Sequence, residues 1–332
     1  MIAIIPVAGI GTQLRPHTYS QPKSLIPVAG KPILGYIIEQ LIEVEIKEFV
    51  FVIGYLGEKI KEYVDLNFPE INKKYVVQES REGLGQAIWL TKDTIPKDRE
   101  IIIVLGDTII DADLKTFIKL KNSALAVKRV DDPRLFGVAQ INENNQIIQV
   151  AEKPKIPKSN MALVGLYKIK EYQLLINILE NNIKNRIKTN NEYLLTEGLQ
   201  KMIEKHQVTF EAFKVDNWYD CGQKEVLLKT NALLLKQKKK ITKLSKKITN
   251  TIIVEPVVIG KNTVIENSII GPNATIGDNS IIQDSIIKDS IIGTYTNLKG
   301  IMLHHSLIGN DTEIKGASQS LNIGDNTALD LR

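Results

Sequence analysis

The sequence predicts an α/β protein: a mostly parallel sheet with helices, followed by a smaller stacked β-structure. Three observations carry this. Apolar strand-like runs alternate with helical patterns up to about residue 107, as a largely parallel α/β sheet requires. A glycine-bearing loop, Ala8-Gly9-Ile10-Gly11-Thr12, follows the first of those runs. After about residue 250 the texture changes to a recurring Ile-Gly-x-Asn/Asp-small motif.

The first run, Ile2–Val7, is unbroken in its apolar character and reads as a buried strand. It delivers the chain into the loop, where Gly9 and Gly11 let the backbone approach something bulky and anionic. Lys23 follows in a proline-bracketed segment, Gln21-Pro22-Lys23-Ser24-Leu25-Ile26-Pro27. Strand, glycine loop and positioned lysine make a phosphate-handling device. Further strands are expected at Phe49–Ile53, Tyr75–Gln78 and Ile101–Leu105, with helices at about 33–45, 57–68 and 84–93. Ligands of such sheets lie beyond the carboxyl ends of the strands. The glycine loop, Gln78 and Asp107 each fall just after one.

From about 123 to 221 the pattern is mixed. Strands at 124–130, 137–141, 147–151, 161–169 and 208–215 surround helices at 171–183 and 192–205. These complete the first domain and wall its site. Asp111 and Asp113 read as caps of a helix beginning near Leu114. A last helix, about 222–239, leads outward. The expected organisation is a domain over 1–235, a basic linker over 236–250 and the repeats over 251–332.

Bulk properties narrow the class. A chain of 332 residues can hold two domains, each with its own core. At 43% hydrophobic and 24% charged it has an ordinary soluble composition. No apolar run approaches the ~20 residues of a membrane span, so no membrane partner is expected. The N-terminus enters directly as a strand, without a charged leader. Cys221 is the single cysteine, which excludes an internal disulfide framework and suits a reducing cytoplasm. Much of the net charge of +5 sits in Lys236–Lys247, which has no aromatics. That run reads as a solvated linker rather than a nucleic-acid surface; the expected anionic partner is a nucleotide.

The loop does not match two familiar phosphate devices. Leu14 stands where the dinucleotide-binding fingerprint has its third glycine, and no Walker A string occurs. The whole string is more specific. Gly9, Gly11, Thr12, Leu14, Pro16, Thr18, Pro22, Lys23 and Pro27 match a signature of Gly-x-Gly-Thr-Arg-Leu-x-Pro-x-Thr, then Pro-Lys and a later Pro. In this the chain resembles the sugar-1-phosphate nucleotidyltransferases, the nucleotide-sugar pyrophosphorylases. One residue departs: Gln13 stands where the family has arginine.

The resemblance implies a Rossmann-like nucleotidyltransferase domain and a reaction. A nucleoside triphosphate and a sugar 1-phosphate give a nucleotide sugar and pyrophosphate. Two anions must be brought together, so catalysis is mostly positioning and charge neutralisation. By resemblance, Ala8, Gly9, Gly11 and Thr12 cradle the triphosphate and Lys23 contacts its phosphates. Gln78, followed by Gly83 and Leu84, is similar to the base-reading glutamine of thymidylyl- and uridylyltransferases. A neutral amide donates and accepts at once, which suits a pyrimidine imide edge. This points to dTTP or UTP without separating them, and to glucose 1-phosphate as the commonest sugar of those enzymes. Asp107, and Asp220 within Trp218-Tyr219-Asp220-Cys221-Gly222, resemble the family's Mg²⁺ ligands.

Phe136-Gly137-Val138 and Glu152-Lys153-Pro154 are similar to the family's sugar-side motifs. The resemblance has Gly137 and Glu152 hold sugar hydroxyls and Lys153 grip the sugar phosphate. Asn191-Glu192-Tyr193-Leu194-Leu195-Thr196-Glu197 resembles a further family segment, but Asn190 replaces an upstream arginine. Arg186 and Lys188 are the candidates to supply that charge.

Gln13 opens three accounts: a slow enzyme, partial substitution by Arg15, or a nucleotide-sugar-binding regulator without turnover. Retention of Lys23, Asp107, Asp220, Glu152 and Lys153 favours an active enzyme.

The C-terminal motif recurs at Ile259, Ile270, Ile276, Ile308 and Ile323. Aliphatics fall near every sixth position, as at Ile259, Ile265, Ile276 and Ile282. This resembles the hexapeptide repeat of the left-handed parallel β-helix, with aliphatics inside and small residues at the corners. Stacked coils bury what no single coil could. Such helices commonly associate side by side, so a homo-oligomer is expected, a trimer in the first instance. Many acyltransferases share the fold and use a histidine base. His304 and His305 therefore raise a second, acyl-transfer activity, although one of two adjacent residues must point outward.

Overall fold

The computed structural model describes residues 1–237 and 247–316. The repeat copy at Ile323 and the centre of the basic linker lie outside the described residues. The chain divides into two compact units: Met1–Pro27 with Lys31–Leu227, and Val28–Gly30 with residues from Leu228 onward.

The first unit is built on a nine-stranded sheet. Its strands are β1 (Ile2–Pro6), β2 (Glu48–Ile53), β3 (Asn72–Val77), β4 (Ile101–Val104) and β5 (Ser123–Arg129). They continue as β6 (Gly137–Ile141), β7 (Gln146–Glu152), β8 (Met161–Ile169) and β9 (Phe210–Lys214). The order across the sheet is β3-β2-β1-β4-β8-β5-β9-β7-β6. The four strands β3-β2-β1-β4 run parallel. The antiparallel β8 joins them to the later strands. Parallel strands need crossovers, here supplied by helices α1 (Ile33–Glu43), α2 (Gly57–Asn67) and α3 (Leu84–Trp89).

Burial explains the apolar runs. Ile2, Ile4, Val50, Val52, Ile101 and Ile103 belong to one core cluster with Leu175, Leu179, Leu199 and Met202 of α5 (Tyr172–Lys184) and α6 (Leu195–His206). Alternate residues Ala3, Ile5, Phe49 and Phe51 are also buried. The parallel half of the sheet is thus covered on both faces.

The sequence expectations need three corrections here. The helix expected over 84–93 ends at Trp89, and Leu90–Asp93 forms a tighter 3₁₀ turn. The helix expected from 192 begins at Leu195; Thr189 and Glu192 instead form an isolated bridge. Asp113 does cap α4 (Leu114–Ile118), accepting from the Thr116 N–H at 3.1 Å. Asp111 does not. It ends a short strand, Thr108–Asp111, which pairs antiparallel with Asn217–Asp220, and it accepts from Asn217 Nδ2 at 3.1 Å.

The second unit is a left-handed parallel β-helix of three parallel sheets. Inward columns run Ile248-Ile265-Ile282-Leu298-Ile314, Ile253-Ile270-Ile287-Leu303 and Ile259-Ile276-Ile292-Ile308. Together they form the unit's core. Ile265 pairs with Ile282 and Ile282 with Leu298, so successive coils take 17 and then 16 residues. Strict hexapeptides would give longer coils. The shortening comes from five-residue sides. Six-residue sides such as Ile259–Ile265 place two residues between the inward aliphatic and the left-handed corner residue; five-residue sides place one, before Asn267, Asp284, Asp289 and His305, all with φ near +50°. Each is followed by a serine, and Ser268, Ser285 and Ser290 are buried at the corners. Helix α7 (Lys224–Gln237) contributes Asn231 to this unit. Its Oδ1 accepts from the Ala29 N–H at 2.8 Å and the Thr275 hydroxyl at 2.7 Å. Its Nδ2 donates to the Asn273 carbonyl at 3.1 Å.

No helix among the described residues is long and apolar enough to cross a membrane.

Candidate active site

The loop after β1 is shaped by its own motif residues. Leu14 is buried and pins the loop to the core. The buried Thr18 hydroxyl donates to the Gly11 carbonyl at 2.8 Å. Gly11 sits at φ +68°, and a Cβ there would fall 2.9 Å from the Lys23 Cβ. Only glycine accepts both that conformation and that approach. A Cβ on Gly9 would meet nothing within 4 Å, so its backbone faces open space.

That space is a cavity of about 510 Å³. Ala8, Gly9, Gly11, Thr12 and Lys23 line it, together with Gln78, Gly83, Leu84 and Asp107. A second cavity of about 240 Å³ is lined by Gly137, Glu152, Lys153, Thr196, Trp218 and Asp220. Leu84, Leu105, Asp107 and Glu192 line both. Gln13 and Arg15 line neither.

Where the cavities share a wall, three charged groups converge. Lys23 Nζ contacts Asp107 Oδ2 and lies 3.8 Å from Asp220 Oδ1. The Gly222 N–H donates to that same Oδ1 at 3.1 Å. A Cβ on Gly222 would come within 3.0 Å of both Asp220 Oδ1 and Lys23 Nζ, so a larger residue would press on the pair. Gln13 Oε1 lies 3.6 Å from the same point, which sets Gln13 beside the cluster. Enclosure and then the charge of Asp107 raise the Asp220 carboxyl above its ordinary range, while Lys23 opposes them. Two carboxylates gathered on one lysine are a donor set that suits a hard divalent cation.

Arg15 lies elsewhere, its guanidinium 4.9 Å from the Tyr19 ring centre. Lys188 is paired with Glu82 at 2.7 Å and stacked over Tyr193. Neither Lys188 nor Arg186 lines either of these two cavities.

Gln78 is buried just past the end of β3. Its Nε2 donates to the Gly83 carbonyl at 3.2 Å and to Gln86 Oε1 at 2.7 Å. Gln86 was not singled out from the sequence. The signal was there: it is a polar residue beside Ala87 and Ile88, on the buried face of α3. In the second cavity, the Thr196 hydroxyl donates to Glu152 Oε2 at 3.1 Å. Burial raises the Glu152 carboxyl above its ordinary value, against the pull of Thr196 and Lys153. Arg81 and Ser24 complete the first cavity and were also not anticipated.

Residues 2–237 match the family model described as nucleotidyl transferase. The chain belongs to the nucleotidyl transferase family. Its activity is sugar-1-phosphate nucleotidyl transfer. A "Bifunctional protein GlmU" of Methanocaldococcus jannaschii is 38% identical over 318 residues, covering 96% of this chain and 72% of that protein. The UTP–glucose-1-phosphate uridylyltransferase AglF of Haloferax volcanii is 30% identical over 235 residues, covering 68% and 93%. Among solved structures, a putative glucose-1-phosphate thymidylyltransferase from Bacillus anthracis is 28% identical with a TM-score of 0.60, covering 70% of this chain and 94% of that one. A UDP-glucose pyrophosphorylase complexed with UDP-glucose matches at 24% identity and a TM-score of 0.62, over 72% of this chain and all of that one; it bears on the fold alone.

Proposed function

We propose that the enzyme transfers UMP from UTP to glucose 1-phosphate, with dTTP as the competing nucleotide. One observation carries the reading: two cavities of different chemistry share the wall that holds Asp107. One cavity has the glycine loop and a buried amide, the other a carboxylate and a lysine. A nucleotide in the first and a sugar phosphate in the second would meet at the Lys23–Asp107–Asp220 cluster. The UTP and glucose assignments are supported by AglF, whose own name carries both.

In this reading Gly9, Gly11 and Thr12 supply backbone donors to the triphosphate. With Gln78 Nε2 engaged by Gly83 and Gln86, its Oε1 is the atom to accept from the N3–H of uracil or thymine. Glu152, oriented by Thr196, accepts from sugar hydroxyls, and Lys153 neutralises the sugar phosphate. A sugar-phosphate oxygen forms the new bond to the α-phosphorus as the bond to pyrophosphate breaks. Lys23 offsets charge at that centre. Mg²⁺ held by Asp107 and Asp220 would neutralise phosphate oxygens when bound.

Acyl transfer gains less from the geometry. His304 and His305 face each other at 2.8 Å, and neither lines either of the two cavities described above.

The test is pyrophosphate release across a matrix of nucleoside triphosphates and sugar 1-phosphates. UTP with glucose 1-phosphate is expected to give the highest kcat/KM. A purine triphosphate in first place would overturn the base assignment. Preference for a 2-acetamido sugar phosphate would overturn the sugar assignment.

A further inference from the structure

The β-helix carries a side-chain cluster that neither its fold nor nucleotidyl transfer requires. Asp289, His304 and His305 bring a carboxylate oxygen and two imidazole nitrogens within 4.8 Å of one another. We infer that these three residues bind a divalent transition-metal cation of the zinc class.

The chemistry of the donors comes first. Two imidazoles and one carboxylate suit zinc and its neighbours, whereas magnesium prefers oxygen alone. The cluster therefore differs in kind from the Asp107–Asp220 pair.

The geometry comes second. His304 Nε2 is 2.8 Å from His305 Nδ1 and 3.3 Å from Asp289 Oδ2. Ligand atoms at about 2.1 Å from a tetrahedral zinc lie about 3.4 Å apart. Opening the two rings by roughly half an ångström would admit the ion in place of the proton they share.

The surroundings come third. Asp289 Oδ1 accepts from Asn273 Nδ2 at 2.8 Å, which orients the carboxylate and turns Oδ2 toward His304. Partners of this kind fix metal ligands. Asn273, Asp289 and His305 occupy successive left-handed corners, at φ +58°, +48° and +50°. Other corner columns carry asparagine and aspartate, as at Asn250-Asn267-Asp284. At His305 the short amide or carboxylate is replaced by a ring that reaches its neighbour. Solvent access is open, with 51% of the His304 side chain and 28% of Asp289 exposed. Asp289 lies on one coil and the histidines on the next, since Lys288 pairs with His304. A bound ion would clip two coils together and favour the folded state.

The experiment uses the full chain in millimolar Mg²⁺, which occupies oxygen sites. Zn²⁺ is titrated in competition with a chromophoric chelator. One equivalent is expected to bind, with affinity at least tenfold weaker in His304→Gln, His305→Asn and Asp289→Asn. The thermal midpoint should rise with Zn²⁺ in the wild type and not in His304→Gln. His305→Asn retains a residue suited to a left-handed corner, so its far-UV circular dichroism is expected to be unchanged. No stoichiometric zinc binding overturns the inference. So does wild-type zinc affinity in a folded His304→Gln, His305→Asn double variant.

Discussion

At Gln13 the chain lacks a fixed positive charge beside the point where two anions must meet. Its side chain nonetheless reaches the cluster, 3.6 Å from the position a Gly222 Cβ would take. An amide can donate to a phosphate oxygen, but a guanidinium adds charge and a second donor. Removing one such donor commonly costs 10²–10³ in rate. Gln13→Arg is therefore expected to raise kcat by about tenfold to a hundredfold, read from steady-state pyrophosphate release; an unchanged kcat would separate this position from the chemistry. Arg15 was the sequence's other source of charge, and its place over Tyr19 was not legible there. A rotamer and a ring contact decide it, not spacing. Glu152 gives a pH signature. Its carboxyl sits above the ordinary range because it is enclosed. In the proposed reading Glu152 accepts from sugar hydroxyls; protonation removes its charge and part of its acceptor capacity, so kcat/KM for the sugar phosphate should fall as pH drops through that raised value. An ordinary glutamate would hold activity to lower pH. Glu152→Gln should lower the plateau and abolish this acid limb; an identical limb in the variant would assign it to another group.

At the scale of elements, strand ends are what brought the candidate site residues together in the sequence. The apolar runs at Ile2, Ile101 and Tyr75 stop where polar and glycine residues begin, so the loop, Asp107 and Gln78 could be set on one edge of the sheet. The structure puts all three in one cavity wall. Gln86 was missed because a glutamine in a helix reads first as solvent-facing, although its place beside the apolar Ala87 and Ile88 was a signal. The coil length of the β-helix was hidden for a related reason. Five- and six-residue sides carry the same aliphatic spacing to within one residue and both turn on a left-handed residue, so only the strand pairing reveals the coil length. Asn231 shows what a buried polar residue on α7 contributes to the second unit. It is fully buried and makes three hydrogen bonds there. Asn231→Ala removes all three and is expected to cost on the order of 3 kcal/mol. The loss should appear as a lower urea midpoint; a shift within error would mean that water replaces the amide without penalty.

For the whole molecule, the decisive feature is convergence. The proposed triphosphate cradle comes from the first 25 residues, the proposed sugar-side groups from β6 and the end of β7, and Asp220 from the strand after β9. Each motif was readable alone, but their meeting at Asp107 depends on how the antiparallel β8 joins the two halves of the sheet. No periodicity records that. The most direct test is pyrophosphate release by the full chain with UTP, glucose 1-phosphate and Mg²⁺, in wild type and Asp107→Asn. The prediction is wild-type turnover that falls by at least about 10² in the variant, with nucleotide binding retained. Turnover in Asp107→Asn at the wild-type rate, or none in the wild type with any sugar 1-phosphate, would contradict it.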